Sequence, residues 1–232
     1  MEKSAINGKK IAAGKAIGYI RSGMTLGLGT GSTAYWAIQG IGDLVKNGLE
    51  VKAIATSMQS EALARELNIP IVSFADIDHI DITIDGADEV DEALNLIKGG
   101  GGALLREKIV AAATRFYIII VDETKLVHTL GKFPLPVEVA PFGWEKTKAR
   151  LEQLGCAARL RMAGDQVFLT DNSHYILDCA FGVIEDPALL HNQVNAITGV
   201  MENGLFIGMA SIVISGSADG HTKMFGSDAG RP

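Results

Sequence analysis

A chain of 232 residues that is 47% hydrophobic, with a mean hydropathy of +0.22, can bury a sizeable core; it is not a disordered protein, and it fits one large α/β domain or two small ones. The net charge of −6 and the pI near 5.4 give no electrostatic basis for a nucleic-acid or anionic-membrane surface, so an anionic ligand has to be held by local groups. The amino-terminal stretch lacks the apolar run of a signal peptide, and no segment reaches the length of a membrane span.

In chain order, the pattern predicts a helix over residues 9–21, a strand over 24–29 ("MTLGLG"), a helix over 32–46 and a strand over 51–57. A helix over 59–67, strands over 69–74 ("IPIVSF") and 79–85 ("HIDITID"), a helix over 103–113 and a strand over 116–122 ("FYIIIVD") follow. The strands are short, apolar and mostly bounded by Gly, Pro or polar residues. Their alternation with helices predicts an α/β fold, a mainly parallel sheet with helices on both faces.

Pro134, Pro136 and Pro141 then mark a change of character. Beyond them the pattern predicts a helix over 145–154, strands over 157–161, 166–170 and 175–181, a helix over 187–196 and a strand near Gly204. That is a smaller α+β domain with an antiparallel sheet. The tail "GLFIGMASIVISGSADG" is apolar again and suits a return to the first sheet. The expected division is residues 1–130 with 205–232 as the larger domain and 131–204 as the smaller. The two cysteines, Cys156 and Cys179, have neither zinc-knuckle nor CxxC spacing and read as buried thiols in a reducing cytoplasm.

Between the first strand and its helix stands "GLGTGSTA", residues 27–34. Its glycines let the backbone turn tightly and present N–H groups, and the helix adds its positive end. Thr30, Ser32 and Thr33 add hydroxyls, so a phosphate group fits. The loop is not a Walker A motif, because no lysine precedes Ser32, and GxGxxG fails with Ser32 in the sixth position, which argues against a nucleotide-dependent oxidoreductase. A glycine-rich βα turn that binds nothing is the alternative.

The richest stretch is "IDGADEVDEALNLIKGGGGALLREK", residues 84–108. Asp81, Asp85, Gly86 and Glu92 fall at positions 1, 5, 6 and 12 of a calcium loop, but Thr83 and Asp88 stand at positions 3 and 8, and the entering segment reads as a strand rather than a helix. Asp85 and Asp88 instead follow a strand end, where α/β sheets place ligands. Glu89, Asp91 and Glu92 read as a solvated acidic face. Lys98 leads into four glycines, 99–102, which cost about 1 kcal/mol each in a helix relative to Ala and so serve close backbone approach to a ligand. Glu107 falls in the second turn of the following helix, between Arg106 and Lys108. Alone it reads as a surface residue; behind the glycine run it reads as a carboxylate poised for proton abstraction. The five histidines, at 79, 128, 174, 191 and 221, have no ligand spacing, and no metal is expected.

"GLGTGSTA", "DGADEVD", "IKGGGGALLREK", "VDETKLV" and "GKFPLPVEV", in this order, resemble the type A family of ribose-5-phosphate isomerases over nearly the whole chain, as far as "SADG". The resemblance implies a Rossmann-like domain joined to a smaller α+β domain. It implies isomerisation of D-ribose 5-phosphate and D-ribulose 5-phosphate, in the non-oxidative branch of the pentose phosphate pathway, without metal or organic cofactor. Glu107 would be the base, while Asp85, Asp88 and Lys98 would handle the sugar hydroxyls, ring opening and the oxyanion. Thr30, Gly31, Ser32, Thr33 and Lys125 would bind the substrate, with Lys9 a phosphate contact; Gly86, Ala87, Gly99, Gly100 and Gly101 complete the expected binding set. A cytoplasmic homodimer is implied as well. A non-catalytic sugar-phosphate sensor would keep the phosphate loop and need no Glu107. The tail "HTKMFGSDAGRP" carries no site expectation.

Overall fold

The computed structural model describes residues 8–227; residues 1–7, part of the stretch read as lacking a leader, and 228–232, the end of the tail, lie outside the described residues. From the N-terminus, α1 (Gly8–Ile17) precedes β1 (Thr25–Leu28), α2 (Ala34–Lys46), β2 (Lys52–Ala55), α3 (Met58–Glu66) and β3 (Ile80–Asp85). The short strands β4 (Glu89–Val90) and β5 (Leu96–Ile97) lead to α4 (Leu104–Ala112) and β6 (Thr114–Asp122). Then come β7 (Leu135–Val139), α5 (Trp144–Glu152), β8 (Ala157–Leu160), β9 (Met162–Ala163), β10 (Gln166–Val167), β11 (Tyr175–Ala180) and α6 (Pro187–Asn195). The chain closes with β12 (Val200–Asn203), β13 (Leu205–Phe206), β14 (Ile212–Gly216) and β15 (Thr222–Gly226).

Two compact units result: Met1–Ala87 with Arg106–Leu126 and Met209–Pro232, and Asp88–Leu105 with Val127–Gly208. The first holds a six-stranded sheet in the order β15-β14-β6-β3-β1-β2. All its pairings are parallel except β14 with β15. The apolar tail does rejoin this sheet, as β14 beside β6. Leu26, Leu28, Ile82 and Ile84 share a core with Ala12 of α1 and Ile38 of α2. Gly27, of opposite parity, faces α4: a methyl on it would lie 2.8 Å from Val110 Cγ1. Helices therefore cover both faces, as a parallel sheet requires. The chain leaves β1 for β2 on one side, and β3 takes the other. The loops after β1 and β3 thus flank a switch in strand order, the position where open α/β sheets bind ligands.

The second unit carries antiparallel sheets, β12-β7-β11-β8 and β13-β5-β4, over a core of Leu135, Val137, Leu177, Cys179 and Leu205. Cys156 and Cys179 are both buried there as free thiols, Cys156 Sγ donating to Leu151 O at 3.4 Å and Cys179 Sγ to Leu177 O at 3.7 Å. The neighbouring Cys179 holds the Cys156 thiol below its ordinary value, while Cys156 and burial push Cys179 up.

Several expectations need correction. Residues 69–74 form no strand: Ile71 makes one bridge to Ala53, and Ser73 then starts a 3₁₀ turn whose Asp76 accepts from the Ser73 N–H at 3.0 Å. The first helix stops at Ile17, because Tyr19 and Ile20 turn into the core instead. The strand expected over 166–170 shortens to Gln166–Val167 in a hairpin with β9. A strand inside the proline-rich stretch, β7, went unforeseen; the β12 ladder covers Val137–Val139 and stops short of Pro136.

Candidate active site

In the first unit, Asp85 ends β3 fully buried. Its Oδ1 accepts from the backbone N–H groups of Thr30 (3.1 Å) and Gly86 (2.7 Å), and its Oδ2 from the Tyr117 hydroxyl (3.2 Å). Glycine is required at 29 because a methyl there would overlap this carboxylate. Burial, followed by the charges of Asp85 and Glu107, pushes the Tyr117 phenol well above its ordinary value of 10.0. The phenol therefore stays a donor, and Asp85 and Glu107 both lie within electrostatic reach of it.

Glu107 sits in the first turn of α4 rather than the second, and it is only 5% exposed, which rules out the surface reading. A carboxylate in a first helical turn faces the unsatisfied N–H groups and positive end of the dipole. Arg106 and Lys108 beside it are half-buried.

The loop after β1 divides its hydroxyls between two tasks. Thr30 Oγ1 lies 2.6 Å from Thr56 Oγ1 and 2.8 Å from Ser57 Oγ, while Ser60 Oγ donates to Gly29 O at 2.7 Å. Thr30 is thus tied to β2 and α3. Gly31, at φ +97, turns the chain outward, and Ser32 Oγ accepts from Lys9 Nζ at 2.9 Å across 23 positions of sequence. The N–H groups of Gly31, Ser32 and Thr33 have no acceptor among the described residues. Free amides at the start of a helix, beside an ammonium, are the kind of donors an anion needs. A cavity of about 450 Å³ opens beside it, lined by Gly31, Ser32, Tyr35, Trp36, Gln59 and Leu63 among others. Lys125 closes a short turn after β6, capped by Asp122.

In the second unit, the Asp88 N–H donates to Ile97 O (2.8 Å) and its Oδ2 accepts from Gly100 N–H (2.7 Å). Lys98 is 2% exposed, its ammonium 5.4 Å from the centre of the Phe206 ring and its N–H on Gly204 O at 2.9 Å. Gly99 and Gly102 take φ of +103 and +80, which L residues avoid. Gly99 O and Gly100 O accept from Arg161, whose guanidinium is paired with Asp178. Gly101 is exposed.

The acidic neighbours are not a common solvated face. Glu89 is buried, accepting from the N–H groups of Gly131 (2.7 Å) and Phe133 (2.6 Å); Asp91 holds Asn95; only Glu92 is exposed, with His128 at 3.0 Å. The carboxylate of Glu89 satisfies a turn of the second unit, a task with no mark in its neighbouring residues. Asp81 Oδ2 accepts from Thr25 N–H at the far end of β3 from Asp85. Four residues of extended strand separate the two by about 13 Å, too far for one ion.

Sequence reasoning missed Tyr117, Arg161, Asp178 and the Thr56, Ser57 and Ser60 hydroxyls. Tyr117 lies in an apolar strand and reads as core, and Arg161 contacts the glycines across 62 positions, so neither carries a local signal.

Residues 52–220 match the family model described as ribose 5-phosphate isomerase A (phosphoriboisomerase A). The ribose-5-phosphate isomerase A of Bacillus cereus is 53% identical over 216 residues, covering 93% of this chain and 98% of that one. A solved D-ribose-5-phosphate isomerase, in complex with phospho-erythronic acid, superposes with a TM-score of 0.92 at 41% identity, over 96% of this chain and 100% of that one. The ribose 5-phosphate isomerase of Plasmodium falciparum gives 0.91 at 41% identity, over 94% and 97%.

Proposed function

This chain belongs to the ribose 5-phosphate isomerase A family, and we propose that it isomerises ribose 5-phosphate to ribulose 5-phosphate by proton transfer on Glu107 through a cis-enediolate. Moving a carbonyl between C1 and C2 takes one base that reaches both carbons, and donors for the oxyanion that forms. The observation that carries the reading is the burial of Glu107 in the first turn of α4, near the Tyr117–Asp85 pair. Carboxylates are seldom buried without a task.

The remaining roles follow from chemistry. Asp85 and Asp88 handle ring opening and the sugar hydroxyls, with Gly86 and Ala87 beside them in the chain. Lys98 and the amides of Gly99 and Gly101 stabilise the oxyanion, while the Gly100 N–H holds Asp88. Gly31, Ser32 and Thr33, with Lys9 and Lys125, hold the phosphate, whose binding energy orients the reacting end, and Thr30 braces the loop that carries them. Support comes from the unsatisfied amides at Gly31–Thr33 and from the relative solved with phospho-erythronic acid, a phosphorylated sugar acid. The same resemblance supports a homodimer and a cytoplasmic location. No helix among the described residues is long and apolar enough to cross a membrane. The sensor alternative leaves the buried Glu107 without a task, and the family does not favour it.

Glu107→Gln keeps size and most hydrogen bonding but removes the base. Turnover should fall by about 10²-fold or more while phospho-erythronic acid still binds. In D₂O the wild-type protein should place deuterium at C1 of ribulose 5-phosphate whenever the transferred proton exchanges; a hydride shift would place none. A variant within a few-fold of wild type, binding intact, moves the base to Asp85 or Asp88.

A further inference from the structure

Four successive glycines are the least restrained backbone a chain can build, so the turn at 99–102 has to be fixed from outside. Arg161, just past β8, does this. Its Nε donates to Asp178 Oδ2 at 3.0 Å and its Nη2 to Asp178 Oδ1, while its Nη1 donates to Gly99 O at 2.8 Å and to Gly100 O at 3.2 Å. The guanidinium also lies 5.9 Å from the centre of the Phe168 ring, and a side chain on Gly102 would overlap that ring. Gly102 N–H donates to Gly99 O at 3.0 Å and closes the turn.

We propose that Arg161 is a positioning residue for the isomerisation, turning the Gly99 and Gly100 carbonyls to itself and thereby setting the Gly100 N–H on the Asp88 carboxylate and the Gly101 N–H toward the reacting sugar. In a planar trans peptide the C=O and the following N–H point in opposite directions. Drawing the Gly99 carbonyl to Arg161 therefore drives the Gly100 N–H the other way, and it is found on Asp88 Oδ2 at 2.7 Å. The same rule turns the Gly101 N–H away from the guanidinium, at an exposed residue. One side chain so fixes a carboxylate and presents a donor for developing negative charge. Asp178 neutralises the guanidinium, so the contribution is placement rather than net charge. The planar fork matters, because a lysine would bring charge without the geometry to hold two carbonyls and a carboxylate together.

The inference rests on the reading that Asp88 and the glycine amides act on the sugar, and Asp88→Asn measured in parallel separates the two. Arg161→Lys should lower kcat by roughly tenfold with KM for ribose 5-phosphate nearly unchanged, and Arg161→Ala by about 10²-fold, the loss a small misplacement brings. Added guanidinium chloride at non-denaturing concentration should restore part of the activity of Arg161→Ala and none of that of Glu107→Gln. Arg161→Lys combined with Asp88→Asn should be less than additive. If Arg161→Lys keeps wild-type kcat while Asp88→Asn is impaired, the positioning role is wrong and the site reading stands. If Asp88→Asn is silent, the site reading itself fails. Should Arg161→Ala not fold, Arg161→Lys and Asp178→Asn decide; lost melting temperature with full kcat per folded molecule overturns the proposal.

Discussion

Asp85 and Tyr117 show what single residues do in this protein. A fully buried carboxylate needs donors, and Asp85 takes two backbone N–H groups and one phenol, which hold it between the ends of β1 and β3. Tyr117→Phe removes the phenolic donor and should destabilise the protein by about 1–3 kcal/mol near neutral pH. The deficit depends on pH. The folded state keeps the Tyr117 proton well above the value of 10.0 at which an unfolded tyrosine loses it. Folded chains then bind more protons than unfolded ones, so stability falls with rising pH in that range. The wild-type advantage over Tyr117→Phe should be full below pH 10 and shrink as the pH climbs beyond it, measured by urea unfolding at several pH values. A constant difference between pH 9 and 11 would mean the phenol is not held as described. The aspartate was legible, since it follows a strand in an acidic motif. The tyrosine was not, because its only sequence mark is that it stands among isoleucines.

At the scale of elements, the loop between β1 and α2 separates a brace from a grip. Thr30 faces the Thr56 and Ser57 hydroxyls, whereas Ser32 faces outward beside Lys9. Ser32→Ala or Thr33→Ala should raise KM for ribose 5-phosphate roughly tenfold, the scale of one hydrogen bond to a charged group, and leave the poor use of unphosphorylated ribose unchanged. Thr30→Val should act chiefly on melting temperature. Equal losses on ribose and its phosphate would place this loop elsewhere in the mechanism. The glycine pattern made the loop visible in sequence. The division among its hydroxyls was not visible, because it depends on Thr56, Ser57 and Ser60, which arrive through the β1–β2 pairing.

At the scale of the whole molecule, a chain of net charge −6 offers no basic surface, so the proposal gives an anionic substrate to individual cations, Lys9, Lys98 and Lys125. No metal is asked for in this scheme: the carboxylates that mimic a calcium loop are spread along β3 and beyond it. Exhaustive treatment with EDTA should therefore leave turnover of ribose 5-phosphate unchanged. Loss of activity, restored by a divalent ion, would show that the acidic stretch had been misread.

Hydrophobic periodicity and the glycine and proline positions by themselves determined the alternating α/β region, the change of character after residue 130 and the return of the tail to the first sheet. Co-ordered motifs determined the family. These are local properties, set by a few neighbouring residues at a time. Tertiary structure alone decided that residues 88–105 join the second unit, because β5 pairs with β13 from more than a hundred positions away. It also decided that Glu89 is buried under the turn at 131–133 and that residues 69–74 stop at one bridge. Above all it decided that Tyr117 and Arg161 hold the acidic and glycine segments. Each of these depends on a partner distant in sequence, and hydrogen bonds between distant segments leave no periodicity by which either end can be read.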